Sequence, residues 1–241
     1  MKKNQFKRNI VLGTLFFLPV AFLLFLYPST HNYNPLDIVQ EHVADLDAFS
    51  FQSEEPIKLK DHLTILGFLG TNPMEHAVEA SNIKELVYDK FKGFKRFQLV
   101  FVMPQETQEQ VQQLHKEVNT YEDARFWYYV YGTPENIQSL YKSLKSEEEL
   151  KPDLSSEDIF IIDMDLNQRG RLEDRDKKEI QANLPGHPLY GYNCIDIGTI
   201  KNKMSDDMRV LFTEYRQKRK GNFNSIQRRD NEINQKDEQA N

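Results

Sequence analysis

The residues best suited to chemistry sit in three places. The first is Asn72-Pro73-Met74-Glu75-His76, which closes the apolar run LTILGFLGTNPMEH at residues 63 to 76. Met74 and His76 set a thioether and an imidazole two residues apart on a turn, a pair acceptable to Cu(I), which favours soft sulfur and tolerates imidazole. Two ligands make a weak site, so another segment would have to add a third. His62, His115 and His187 are the imidazoles at hand, and His62 lies at the opposite end of the apolar run. A plainer reading serves the same residues: Met74 tucked against a sheet edge, His76 solvated, and Glu75 complementing the helix dipole in the first turn. The second place is Cys194. A helix starting close by would lower its thiol pKa and make it reactive, whereas a lone cysteine is otherwise a small buried apolar residue. The third is Asp163 and Asp165, which flank Met164; an Asp there caps the turn that follows, and an acid and base pair would need both to converge on one cleft. No Ser-His-Asp set, Gly-rich phosphate loop or paired zinc motif occurs.

The elements that must position these residues read as an α/β alternation. Residues 63 to 69 form a buried strand, and Ala77, Val78, Ile83, Leu86, Val87 and Phe91 then recur at helical spacing as far as Gly93. Gln98 to Met103 is a second buried strand, stopped by Pro104, and residues 105 to 118 form a surface helix. FWYYVY at 126 to 131 is an aromatic strand whose outward tyrosines would suit a docking surface if it lies near an edge. Thr133 caps a helix with Pro134 at its first position. Ile159 to Met164 followed by DLNQRGRL reads as a hairpin, and a last helix starts near Asp196 or Thr199. Residues 37 to 62 are mixed, with Phe49 and Phe51 alternating, and residues 173 to 193 show no usable period. The order fits a thioredoxin-like central sheet flanked by helices.

The chain has 241 residues, 39% hydrophobic and 28% charged, enough for one sizeable domain with appendages. Its net charge of −6, with acids and bases mixed, argues against nucleic acid as a main partner. A single cysteine excludes an intramolecular disulfide and the simplest dithiol redox chemistry. Residues 10 to 27, IVLGTLFFLPVAFLLFLY, are uncharged and apolar, at the short end of a transmembrane helix. Lys2, Lys3, Lys7 and Arg8 precede them and predict a cytoplasmic basic N-terminus at 1 to 9, with the following domain across the membrane. No A-x-A-like pattern follows, which favours an uncleaved single-pass anchor in the bilayer over a signal peptide. Residues 28 to 36 then read as a spacer, 37 to 217 as the globular domain, and 218 to 241 as a disordered polar tail.

This layout resembles the SCO/SenC family of membrane-anchored, thioredoxin-like copper proteins that help assemble the copper centre of cytochrome oxidase. ILGFLGTNPMEH looks like the family's strand leading into its Cys-Pro-x-x-Cys turn. YVYGTPENIQSLYKSL resembles its strand and Gly-Thr-Pro-Glu helix start, and DIFIIDMDLNQRGRL looks like its late hairpin. The resemblance covers residues 45 to 172 and, in outline, the last helix. It implies a bacterial cytoplasmic membrane location, a domain facing the periplasm, and oxidase subunits or assembly proteins as partners. The chain departs from the family where the ligands stand. Pro73 is kept, but Asn72 and His76 occupy the positions of the two copper-binding thiolates, and KSEEELKPDLSSED at 145 to 158 lacks the family's histidine. The resemblance therefore implies a degenerate member without redox or copper-ligand chemistry, serving as an interaction module. A copper carrier using Met74 and His76, or a thiol-disulfide protein using Cys194, are the alternatives.

Overall fold

The computed structural model describes residues 2–26, 35–51, 56–118 and 124–219. Tyr27 at the end of the expected anchor, most of the expected spacer and the expected tail from 220 onward lie outside them. The chain divides into two units, Met1–Asn34 and Pro35–Asn241. In the first, α1 (Lys2–Leu26) is one helix containing Pro19. Its large apolar side chains from Val11 to Phe22 are exposed, as are Lys7 and Arg8 before them. Among the described residues no helix is long and apolar enough to cross a membrane. The side chains of residues 10 and 23–27 lie outside the description.

The second unit begins with β1 (Asp37–Gln40) and β2 (Ser50–Phe51), followed by β3 (Leu63–Phe68). A 3-10 turn, Pro73–His76, leads into α2 (Ala77–Ile83), a wider π turn (Lys84–Tyr88) and α3 (Asp89–Phe91). Next come β4 (Phe97–Pro104), α4 (Gln108–Val118), β5 (Trp127–Gly132) and α5 (Pro134–Lys142). The chain closes with β6 (Asp158–Ile162), β7 (Gln168–Gly170), α6 (Lys177–Gln181), β8 (Tyr192–Asn193), a π turn (Thr199–Met204) and α7 (Ser205–Arg219).

The sheet order is β1-β7-β6-β3-β4-β5-β2, with β8 added on β6. β3, β4 and β5 run parallel, while β6 is antiparallel to β3 and turns back into β7. Three parallel strands with crossover helices, joined at the central strand by an antiparallel hairpin, make a mixed, thioredoxin-like α/β sheet. Side chains alternate across it as the pleat requires. Leu63, Ile65, Leu99, Phe101, Ile159 and Ile161 face the layer that includes Met204, Met208 and Leu211. Leu66, Phe68, Val100, Val102, Phe160 and Ile162 face Ile137, Leu140 and Tyr141 of α5. Thr133 caps α5, its Oγ1 accepting from the Asn136 amide at 3.3 Å.

Two short stretches without a sequence period gain structure from partners. β1 pairs with β7, and β8 with the first residues of β6. In the second stretch α6 is set by a capping box: Asp176 accepts from the Lys178 and Glu179 amides, and the Glu179 carboxylate accepts from the Asp176 amide. Asp176-Lys-Lys-Glu179 carries that signature in the sequence. The last helix extends to Arg219, so Lys218 is helical rather than part of a polar tail.

Candidate functional site around the 72–76 turn

The turn stands at the C-terminal end of β3 and is held by the segment before β6. Leu69 bridges Ser155, the Thr71 amide donates to the Asp153 carbonyl at 2.9 Å, and the Ser156 amide donates to the Phe68 carbonyl at 3.0 Å. Gly70 makes this approach possible. Its φ is +64°, and a Cβ there would lie 2.6 Å from the Asp153 oxygen, so any other residue would be strained and would clash.

Within the turn the side chains go separate ways. Asn72 and Glu75 are exposed, Pro73 is buried, and Met74 is half-buried against the core. His76 is turned inward rather than solvated. Its Nδ1 hydrogen-bonds the Glu79 carboxylate at 3.2 Å, with 11% and 14% of the two side chains exposed. Asp153 and Glu157 lie close to the imidazole. Burial works against the Asp153 charge, but the Ser155 hydroxyl and amide, followed by His76, outweigh it and hold the pKa below the usual carboxylate range. Glu157 is lowered first by its hydrogen bond from Lys151, at 2.6 Å, and His76 adds to the effect.

Cys194 lies behind the same helix, a juxtaposition with no signal in the sequence. Its amide donates to the Glu157 carbonyl at 2.8 Å, and its carbonyl accepts from Asn82 of α2 at 3.1 Å. The residue is 3% exposed. Burial pushes the thiol pKa well up, and Asp158, Glu79 and Glu157 raise it further. The helical segment after it starts at Ile197, and its first turn is capped by Asp196, which accepts from the Gly198 amide at 2.8 Å and the Thr199 hydroxyl at 2.7 Å. The result is the reverse of an activated nucleophile.

The two hairpin aspartates do not share a cleft. Asp163 is buried and caps its turn, accepting from the Asp165 and Asn167 amides at 2.9 Å each, while Asp165 is exposed beside Lys60. His62 hydrogen-bonds the Lys60 carbonyl before β3, and His115 on α4 packs edge-on against Tyr129. His187 lies near Glu179. None of these completes a ligand set with His76. Among the described residues no group of three or more His, Cys, Asp or Glu is placed to hold a metal ion.

The strand order defines the class, a thioredoxin-like α/β domain. No family model matches the chain, and no curated protein matches it significantly. Solved structures to which it is similar include a SCO1/SenC family lipoprotein from Bacillus anthracis, at 16% identity over 71% of this chain and 95% of that one, TM-score 0.46. BsSco, a Sco family member described with a disulfide switch, is 14% identical over 73% and 97%, TM-score 0.44. ScoI of Bradyrhizobium japonicum, solved with copper bound, is 14% identical over 67% and 95%, TM-score 0.36. The donors around the 72–76 turn do not fit a soft copper ion. They are an imidazole already held by Glu79, a thioether against the core, and hard carboxylate oxygens.

Proposed function

We propose that this chain is a membrane-anchored, Sco-like thioredoxin-fold protein that acts as an interaction module in the assembly of a respiratory oxidase, without thiol or copper chemistry of its own. One observation carries the reading. In the turn where the resembling family places its thiolates, His76 is committed to Glu79 and Met74 to the core, while the chain's one cysteine is buried behind them. The side chains serve the packing of a helix on a sheet. What remains available to a partner is the turn's exposed rim, Asn72 and Glu75. The family setting is supported by the residues themselves: the Gly-Thr-Pro-Glu helix start, capped through Thr133, and the Asp163-capped hairpin. Anchoring through residues 10 to 27 in the cytoplasmic membrane, with the domain in the periplasm, is supported by the uncharged run and the basic residues before it.

The test is genetic and biochemical. A deletion strain should lose haem-copper oxidase activity in its membranes, and chains carrying Asn72→Ala or His76→Ala should restore it to nearly the parental level. Unchanged oxidase activity in the deletion strain would remove the assembly role. A null phenotype from His76→Ala, in a protein present at normal level and folded by circular dichroism, would assign the imidazole a chemical task and contradict the module.

A further inference from the structure

A groove of about 460 Å³ lies at the other end of the sheet from the 72–76 turn, between the segment before β4, the end of β6 and the end of α7. Lys95, Arg96, Arg216, Lys218 and Arg219 line it, and no carboxylate does. This is a local excess of positive charge in a chain whose net charge is −6. Lys218 reaches Glu214 at 3.0 Å, whereas among the described residues Lys95, Arg96, Arg216 and Arg219 have no carboxylate within ion-pairing distance. The groove also presents aromatic rings. Phe94, 38% exposed, stacks on Phe212 at 4.0 Å, and Tyr215 lies under the Lys218 ammonium at 5.2 Å.

The chain enters the domain beside this groove. The Leu36 carbonyl accepts from Arg169, Arg169 pairs with Glu214, and Glu214 holds Lys218 of the groove. Residues 27 to 34 are all that separate Leu26 from Pro35, a length of chain reaching about 30 Å at full extension. From this we infer that the groove is a docking surface for anionic phospholipid headgroups, which seats the domain on the bilayer and turns Asn72 and Glu75 away from it. The heads of Lys95, Arg96, Arg216 and Arg219 match lipid phosphates, and the exposed Phe94 ring matches the interfacial layer. The inference rests on the reading of residues 10 to 27 as an anchor.

The full chain is reconstituted with bilayers of zwitterionic lipid alone or with anionic lipid added. Retention after alkaline carbonate extraction is recorded, with acetylation rates of Lys95 and Lys218 against exposed Lys142 of α5. The expected result is retention in both bilayers, with several-fold slower acetylation of Lys95 and Lys218 in the anionic one only. Raising the salt, or the exposed double variant Arg96→Glu, Arg216→Glu, should abolish that protection. Equal acetylation in both bilayers, or protection that grows with protein concentration instead of anionic lipid, would overturn the inference. Loss on extraction together with lysine protection by anionic lipid would overturn the anchor and keep the groove. Loss without protection would overturn both.

Discussion

Asp158 shows what the surroundings of the turn do to a single charge. It stands at the start of β6, half-buried against Gly191 and opposite Asn193. Burial first, and then Glu148, Glu157 and Glu147, raise its pKa to about 6. In the unfolded chain an aspartate titrates near 3.9. Between those values the folded protein holds a proton that the unfolded chain releases, so stability present below about pH 4 is lost as pH rises through about 6. Asp158→Asn should therefore stabilise the protein at pH 7 by about 1–2 kcal/mol, a figure reduced for solvent screening, and leave stability at pH 4 nearly unchanged in urea melts. An equal gain at both pH values would place the effect in packing. The same carboxylate adds to the burial that keeps Cys194 protonated.

At the scale of elements, β7 and α7 are joined by buried charge. Arg169 lies between Asp163 and Glu214 at 3.1 and 2.8 Å, with the three side chains 4%, 2% and 4% exposed, and also donates to the Leu36 carbonyl at 2.6 Å. Burial opposes its charge, but Glu214 and Asp163 more than compensate. Arg171, two residues on and just past β7, pairs with Asp207, which also accepts from the Tyr192 hydroxyl. Removing the guanidinium strands two carboxylates in the interior, so Arg169→Leu should cost about 3–5 kcal/mol in denaturant unfolding. A loss below about 1 kcal/mol would be that of a solvated pair and would contradict this role. The strands and helices that bury apolar faces, β3 to β6, α2 to α5 and α7 in outline, were legible because pleat and helix periods show in the sequence. β1 and β8 were not, since four and two residues carry no period and are ordered by the strands they join. The capping box of α6 was readable but lay in a stretch rich in charge, Pro and Gly. The position of the candidate site was legible too, at the end of the first core strand. Its composition was not: Asp153, Glu157 and Cys194 reach the turn through contacts of 82 to 112 residues' separation, such as Thr71 with Asp153 and Asn82 with Cys194.

For the whole molecule, the partner contacts proposed at the rim of the 72–76 turn and the lipid contacts inferred at the basic groove fall on opposite ends of one sheet. The proposed packing role of the turn meets its most direct test in anaerobic Cu(I) titration of the full chain against a competing chelator, with a Met74→Ala, His76→Ala double variant as control. The expected result is no binding by the parent chain beyond that of the double variant. Tight one-to-one binding that disappears in the double variant would contradict it and make the protein a metal carrier with a third ligand still to be found.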